Sequence, residues 1–319
     1  MKLNTYQKVA ITTVLATLFL ILVGGLVRAS GAGLGCPDWP KCFGMWIPPT
    51  SAADLPAGFD ASQFNATLMW TEYVNRLVGV LIGLLIMATF VLSFRYRTSE
   101  PAVFYSSFMA LALVLFQGWL GGQVVKTGLS EGLITLHMVL AMAIMAILLY
   151  AVFKATSVYF IVEIDEKVRS WLYWSGVILL LFTLAQTVLG TQVREAVDVI
   201  KNSPNPPPRE LWLNQVGSMD EIHRSFSWTI FLSGLAVYYL SYEKTGLSII
   251  TKLGAGIFSI ILIQIGLGIG LYYFGMPPVF QILHLTMMAV LFCLEFLFLL
   301  VVRVAGTEQP EAHVRLQEN

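Results

Sequence analysis

Eight runs of apolar residues divide the chain, at about 8–28, 73–94, 104–125, 132–153, 171–190, 222–242, 251–271 and 280–302. Each is close to the roughly 20 residues that carry a helix across the hydrocarbon of a bilayer. No strand-like alternation interrupts them, and a bilayer core supplies no water to backbone groups, so each run must close its hydrogen bonds internally as a helix. The pattern predicts an all-α integral membrane fold with eight transmembrane helices. The first run follows Lys2 and Lys8 and ends near the small residues Ala29–Ala32. It is read as a retained span, because its apolar stretch is longer than a signal-peptide core.

Composition supports this. Of 319 residues, 57 % are hydrophobic and 12 % are charged, about half the charged share of a soluble domain. Lys2, Lys8, Arg95, Arg97, Lys154, Lys167, Arg169, Lys244, Lys252, Arg303 and Arg315 fall on one side of the predicted membrane. The other side has Arg28, Lys41, Arg76, Lys126, Arg194, Lys201, Arg209 and Arg224. The excess puts both termini in the cytoplasm. Cys36 and Cys42 then lie in the long first outer loop, where an oxidising compartment would permit a disulfide; Cys293 lies inside the last span. The bilayer is the expected surroundings, and no nucleic-acid partner is expected.

The chain also repeats itself. "LITLHMVLAM" (133–142) aligns with "FQILHLTMMA" (280–289), placing His137 and His284 147 residues apart. "FQGWLGG" (116–122) aligns with "IQIGLGI" (263–269) at the same spacing. "WTEYVNR" and "MDEIHR" place Asn75 and His223 148 apart, and "VGGLVR" and "VLGTQVR" place Arg28 and Arg194 166 apart. Four matches in one order imply two copies of a four-helix unit. An even number of spans gives both copies the same orientation, related by an axis along the membrane normal. The predicted division is 1–155, 156–303 and a charged cytoplasmic tail at 304–319, expected to be disordered from Thr307. Residues 154–170 would join the units on the inner side. Residues 195–221, which include "NSPNPPP", would form an outer loop too rich in proline for a regular helix.

Three of the four histidines, His137, His223 and His284, stand in these repeats, and Asn75 takes the fourth equivalent place. All four lie in the first turns of spans entering from the outer side, within ~10 Å of the surface. Ionisable side chains inside a span are costly and point to function. Facing imidazoles on neighbouring helices could hold a metal or a haem edge-on. A bare zinc ion would need further ligands, for which the spans supply no thiolate or carboxylate set, so haem fits better. The glycines of "GWLGG" and "GLGIG" suit either a porphyrin face or close helix packing. Arg28, Arg76, Arg194 and Arg224, at outer helix ends, suit either porphyrin propionates or snorkelling to headgroups. Glu72 is a candidate proton-handling group or a partner for Arg76 four residues on; Asp220 is expected to orient His223 or pair with Arg224.

The motifs "GGLVRASGAGLGCPDWPKC", "EYVNR", "LHM", "DEIHR" and "LHL" resemble those of the haem A synthase family across roughly residues 8–302. That resemblance implies a haem b cofactor in the C-terminal unit, held by the iron ligands His223 and His284 with Arg194 and Arg224 nearby. It implies a site for the substrate haem O in the N-terminal unit, with His137 on the substrate iron and Asn75, Arg76 and Arg28 around it. The expected reaction oxidises the C8 methyl of haem O to a formyl group by successive hydroxylations, with water as oxygen source and Glu72 as the catalytic residue. Cys36 and Cys42 match the family's paired loop cysteines, with a structural or a redox role. The family pattern has histidine where this chain has Asn75. An inner (plasma) membrane location is implied, along with an electron acceptor of unspecified identity. Haem O synthase and terminal-oxidase assembly factors are candidate partners, and self-association is left open. The rival readings are a dihaem electron-transfer cytochrome, to which Asn75 is ill suited, and a haem carrier or transporter.

Overall fold

The computed structural model describes residues 3–156, 164–246 and 248–305. Among them the regular structure is helical. Eight helices have 25 residues or more: α1 (Thr5–Ser30), α2 (Ala66–Ser93), α3 (Pro101–Lys126), α4 (Glu131–Thr156), α5 (Glu166–Lys201), α7 (Ser218–Thr245), α8 (Ile249–Tyr273) and α9 (Pro278–Val304). The five-residue α6 (Trp212–Val216) lies in the loop before α7. Seven of the eight long helices are apolar and long enough to cross a membrane; α7, which covers the expected span 222–242, is long enough but less apolar. The chain is a multi-pass membrane protein.

Local chemistry sets the helix starts. Asn4, Asn65, Asp165 and Ser248 each accept a backbone N–H of the first turn of α1, α2, α5 and α8, satisfying donors with no partner inside the helix. Proline opens α3 and α9, where its missing N–H costs nothing. Gly31 ends α1 in the left-handed region at φ 76°, a conformation glycine adopts without strain.

Packing links α1 to α2, α2 to α3, α3 to α4 and α4 back to α1. The same cycle recurs as α5 to α7, α7 to α8, α8 to α9 and α9 back to α5. One apolar cluster gathers Val14, Ile82, Ile86, Met145 and Leu148 from the first set. Another gathers Leu179, Val237, Ile257, Ile261 and Phe298 from the second. Met142, Ala289 and Phe292 join α4 to α9 between them. Helix α9 also packs on α1. In its most apolar stretch 61 % of residues are buried, against 17–33 % in the other six apolar helices, which makes α9 the central helix.

Helix α5 differs from the expectation. It runs on to Lys201 instead of ending near residue 190, because the prolines of the loop begin only at Pro204. Val193 and Val197 are buried along the extension, and Arg194 pairs with Asp198 one turn on. The segment 195–221 therefore starts as helix rather than as irregular chain. Residues 157–163 of the expected inner connection (154–170) and the tail beyond residue 305 lie outside the described residues.

Candidate functional site

His223 on α7 and His284 on α9 face each other with ring centroids 6.5 Å apart and planes inclined at 68°. A nitrogen ligand sits about 2 Å from its metal, and half an imidazole ring adds roughly another 1 Å on each side, so two rings sharing one iron need roughly 6 Å. The Nδ1 atoms of His137, His223 and His284 are buried without a hydrogen-bond partner. The room beside these rings comes from glycine. A Cβ on Gly190 would lie 3.2 Å from Cε1 of His223, and one on Gly268 would lie 3.8 Å from Cε1 of His284. Facing imidazoles, orphaned ring nitrogens and a backbone cradle fit a haem iron. Among the described residues no group of three or more His, Cys, Asp or Glu side chains could hold a bare ion.

His137, on α4, has a similar setting. A Cβ on Gly121 of α3 would stand 3.4 Å from its Cε1. At the next residue, Gly122, a Cβ would come within 2.8 Å of the Trp39 indole, so the first outer loop rests on α3 beside this histidine. The Asn75 Oδ1, on α2, is buried and unpartnered.

Glu72, Arg76 and the cysteine loop form one unit. Cys36 and Cys42 are joined in a disulfide. The backbone N–H of Cys36 donates to Glu72 at 2.8 Å, and Arg76 pairs with the same carboxylate. Arg76 also donates to the carbonyls of Asp38 and Lys41, both at 2.8 Å. Asp38 in turn accepts the N–H groups of Phe43 and Gly44. Gly35 lies so close to α2 that a Cβ would be 2.5 Å from the Leu68 carbonyl oxygen. Glu72 itself is buried, so its carboxylate serves the loop whatever else it does.

The other arginines are also engaged. Arg28 and Arg194 both bind Asp198 of α5, and Arg194 donates to Gln281 and to the Arg28 carbonyl. Arg224 pairs with Asp220 at 2.8 Å and lies over the Tyr272 ring, 4.6 Å from its centroid.

The sequence reading missed one set of residues. Gln117, Gln186 and Gln264 each donate Nε2 to a histidine backbone carbonyl, that of His137, His223 and His284 respectively, at 2.9 Å in every case. Gln117 and Gln264 stood in the repeat alignment only as markers. The signal that unites all three is Gln followed four residues later by Gly: "QGWLG", "QTVLG" and "QIGLG".

A family model described as COX15-CtaA, cytochrome oxidase assembly protein, matches residues 7–296. The chain is similar to a protein named Heme A synthase from Shewanella oneidensis, with 32 % identity over 43 % of this chain and 42 % of that protein. It is similar to a Heme A synthase from Bartonella tribocorum, with 23 % identity over 88 % of this chain and 87 % of the relative. With the Heme A synthase of Wolbachia pipientis the identity is 31 % over 59 % of each. The match to the Shewanella protein thus spans less than half of that relative's length.

Proposed function

The chain belongs to the COX15-CtaA family of cytochrome oxidase assembly proteins, and from that premise we propose that it is a haem A synthase, a membrane oxidoreductase that converts the C8 methyl of haem O to a formyl group. The names of its relatives support this, and one observation carries it: the facing of His223 and His284 at 6.5 Å.

The proposed architecture is eight spans in two four-helix units, 1–155 and 156–303, related by a pseudo-twofold axis along the membrane normal, with the cytoplasmic tail at 304–319. The two matching cycles of helix packing support it. At 28 residues α7 is about 42 Å long. It turns Trp228, Leu232 and Tyr239 outward, as a lipid-facing helix would. Its acidic first turn, with Asp220 and Glu221, and its serines and tyrosines lower its hydropathy. In this reading the protein lies in the plasma membrane with both termini cytoplasmic.

In the C-terminal unit, His223 and His284 would hold haem b, with Arg224 and Arg194 toward the outer edge. When bound, that haem supplies a one-electron relay out of the site. The N-terminal unit receives haem O, whose iron His137 would ligate, with Asn75, Arg76 and Arg28 around it. Oxidation of the methyl group takes one oxygen from water and releases four electrons and four protons. The electrons would leave through an acceptor, and Glu72 at the loop would take up protons. Asn75 can hydrogen-bond but is a weak iron ligand beside imidazole. A substrate held by one strong protein ligand leaves more readily than a cofactor held by two, which suits haem O on one side and haem b on the other. This asymmetry also disfavours a simple dihaem electron carrier.

The test is to express the full chain in a host that makes haem O and no haem A, and to extract the membrane pigments. Haem A should appear with the wild-type chain and vanish with His137→Ala. Haem O alone, with a wild-type protein carrying bis-imidazole haem, would favour a carrier or a cytochrome instead.

A further inference from the structure

Three times in this molecule a glutamine on one helix reaches the backbone carbonyl of a histidine on a neighbouring helix, always at 2.9 Å. Four residues on, a glycine in the same helix lies against the imidazole of that histidine. The two contacts divide the work. The amide fixes where the histidine's backbone stands, and the bare glycine fixes how close its ring lies to the neighbouring helix. A helical carbonyl already accepts the N–H four residues on, so the glutamine is not rescuing an orphaned group. Packing alone would be met by an apolar side chain. Instead all three places hold glutamine, with the Oε1 buried and without a hydrogen-bond partner.

The fourth equivalent place decides between a general packing device and one tied to imidazole. In the register that aligns Arg28 with Arg194, α1 has Leu20 where α5 has Gln186 and Gly24 where α5 has Gly190. Leu20 packs against the apolar core of the first set of helices and has no donor. Nothing lies within 4 Å of a Cβ built on Gly24, and α2 presents Asn75 rather than histidine. Of these four equivalent places, the three that present histidine have the glutamine–carbonyl contact and the one that presents Asn75 has leucine instead; elsewhere, Gln7 of α1 reaches the Ala155 carbonyl of α4.

We propose that Gln117, Gln186 and Gln264 are positioning residues that set the iron-ligating imidazoles through their backbones, with Gly190 giving the tightest clearance beside a ring. This deepens the haem reading above and rests on it. Gln186 and Gln264 set the two cofactor ligands, and Gln117 sets the substrate ligand alone. Groups that orient a metal's ligands typically change metal affinity about 10–100-fold when lost.

The experiment uses the full chain purified with its haem, with the low-spin electron paramagnetic resonance signal and the rate of haem loss as readouts. Gln186→Met and Gln264→Met keep side-chain length and remove the donor. Each should shift or broaden the bis-imidazole signal and speed haem loss about tenfold. Gln117→Met should leave the cofactor signal as it is while weakening retention of added haem O. The glycines give a graded control that does not involve the glutamine donor: Gly190→Ala, at 3.2 Å from the ring, should disturb the signal, and Gly268→Ala, at 3.8 Å, should not. If a methionine variant fails to accumulate, the leucine variant at the same position, which also lacks the donor, is read in its place, and an unchanged signal and rate of haem loss there overturn the proposal. A wild-type protein without a bis-imidazole signal sinks the haem reading itself. A wild-type signal that survives Gln186→Met and Gln264→Met unchanged sinks only the positioning role.

Discussion

Arg28 and Arg194, at matching places in the two repeats, converge on the one carboxylate of Asp198, at 2.7 and 2.9 Å. Asp198 lies on α5, and the position 166 residues earlier is Ala32, so the repeat supplies two cations and one anion. The carboxylate ties the outer end of α1 to α5.

Removing it leaves two guanidinium groups near each other, with the Arg28 and Arg194 side chains only 24 % and 19 % exposed. Asp198→Ala should lower stability by about 1–3 kcal/mol, less than the loss of a fully buried pair. Asp198→Asn, which keeps an acceptor, should lose less. Thermal unfolding in detergent measures both, and two variants as stable as wild type would remove the carboxylate from the account of how the helices are held.

Asn75→His supplies the imidazole that the family pattern has at this place. On the proposed reading it gives haem O a second strong ligand, so the substrate iron becomes low-spin and its release slows by about tenfold, the effect of ~1.4 kcal/mol. Spectra of protein loaded with haem O, and transfer of that haem to an excess of an apo-acceptor, report both quantities. Unchanged release would mean that residue 75 does not reach the iron.

Glu72 has one observed duty and one proposed duty, and substitution separates them. As acceptor for Cys36 and partner of Arg76 it holds the loop; as proton acceptor it would act in turnover. Glu72→Gln keeps an acceptor oxygen for the Cys36 amide and abolishes the base. Proton handling predicts that Gln and Ala variants both lose haem A formation while the cofactor spectrum persists. Substantial activity in the Gln variant alone would leave Glu72 only its role in the loop.

Much of this was legible in the sequence, for identifiable reasons. Spans are legible because a bilayer demands unbroken apolar length, and the histidines stand out because imidazole in such a span is rare. The cysteine pair was legible as a pair because both residues share one outer loop. The extent of α5 was not, since the prolines of the following loop drew attention from the proline-free turns before them, where Val193 and Val197 are buried. The arginines resisted assignment because an arginine at a helix end looks the same whether it meets a headgroup, a propionate or Asp198. The glutamines were hidden because their partner is a backbone carbonyl, which leaves no residue type to read, and only the recurring glycine four residues later marks them.

The disulfide closes a short loop, Cys36 to Cys42, so the chain-entropy gain is about 2 kcal/mol. Replacing both cysteines by serine should lower the unfolding temperature and leave the cofactor spectrum intact, because the contacts that hold the loop run to Glu72 and Arg76 of α2 and to Gly122 of α3. Haem A yield separates the two roles: a structural bond predicts activity that recovers at lower temperature, and a redox role predicts none at any temperature.

Glu295, in the central helix, is almost fully buried and receives one hydrogen bond, from the Thr183 hydroxyl at 2.8 Å; its Oε2 has no partner. One turn along α5, Thr187 donates only to the Thr183 carbonyl, a contact internal to a helix that is already bonded. The two hydroxyls are therefore unequal despite similar burial. Thr183→Val strips the carboxyl group of its donor and should cost about 1–3 kcal/mol, the penalty for a buried polar group left unsatisfied. Thr187→Val should cost little, since a serine or threonine bonded back along its own helix adds no net stability. Replacing both members of the first pair, Thr183→Val with Glu295→Leu, should recover most of the loss, because an apolar pair of similar shape has nothing to satisfy. Unfolding of the three variants in one detergent decides the matter: equal stability of Thr183→Val and Thr187→Val would show that the α5–α9 contact does not depend on this hydrogen bond.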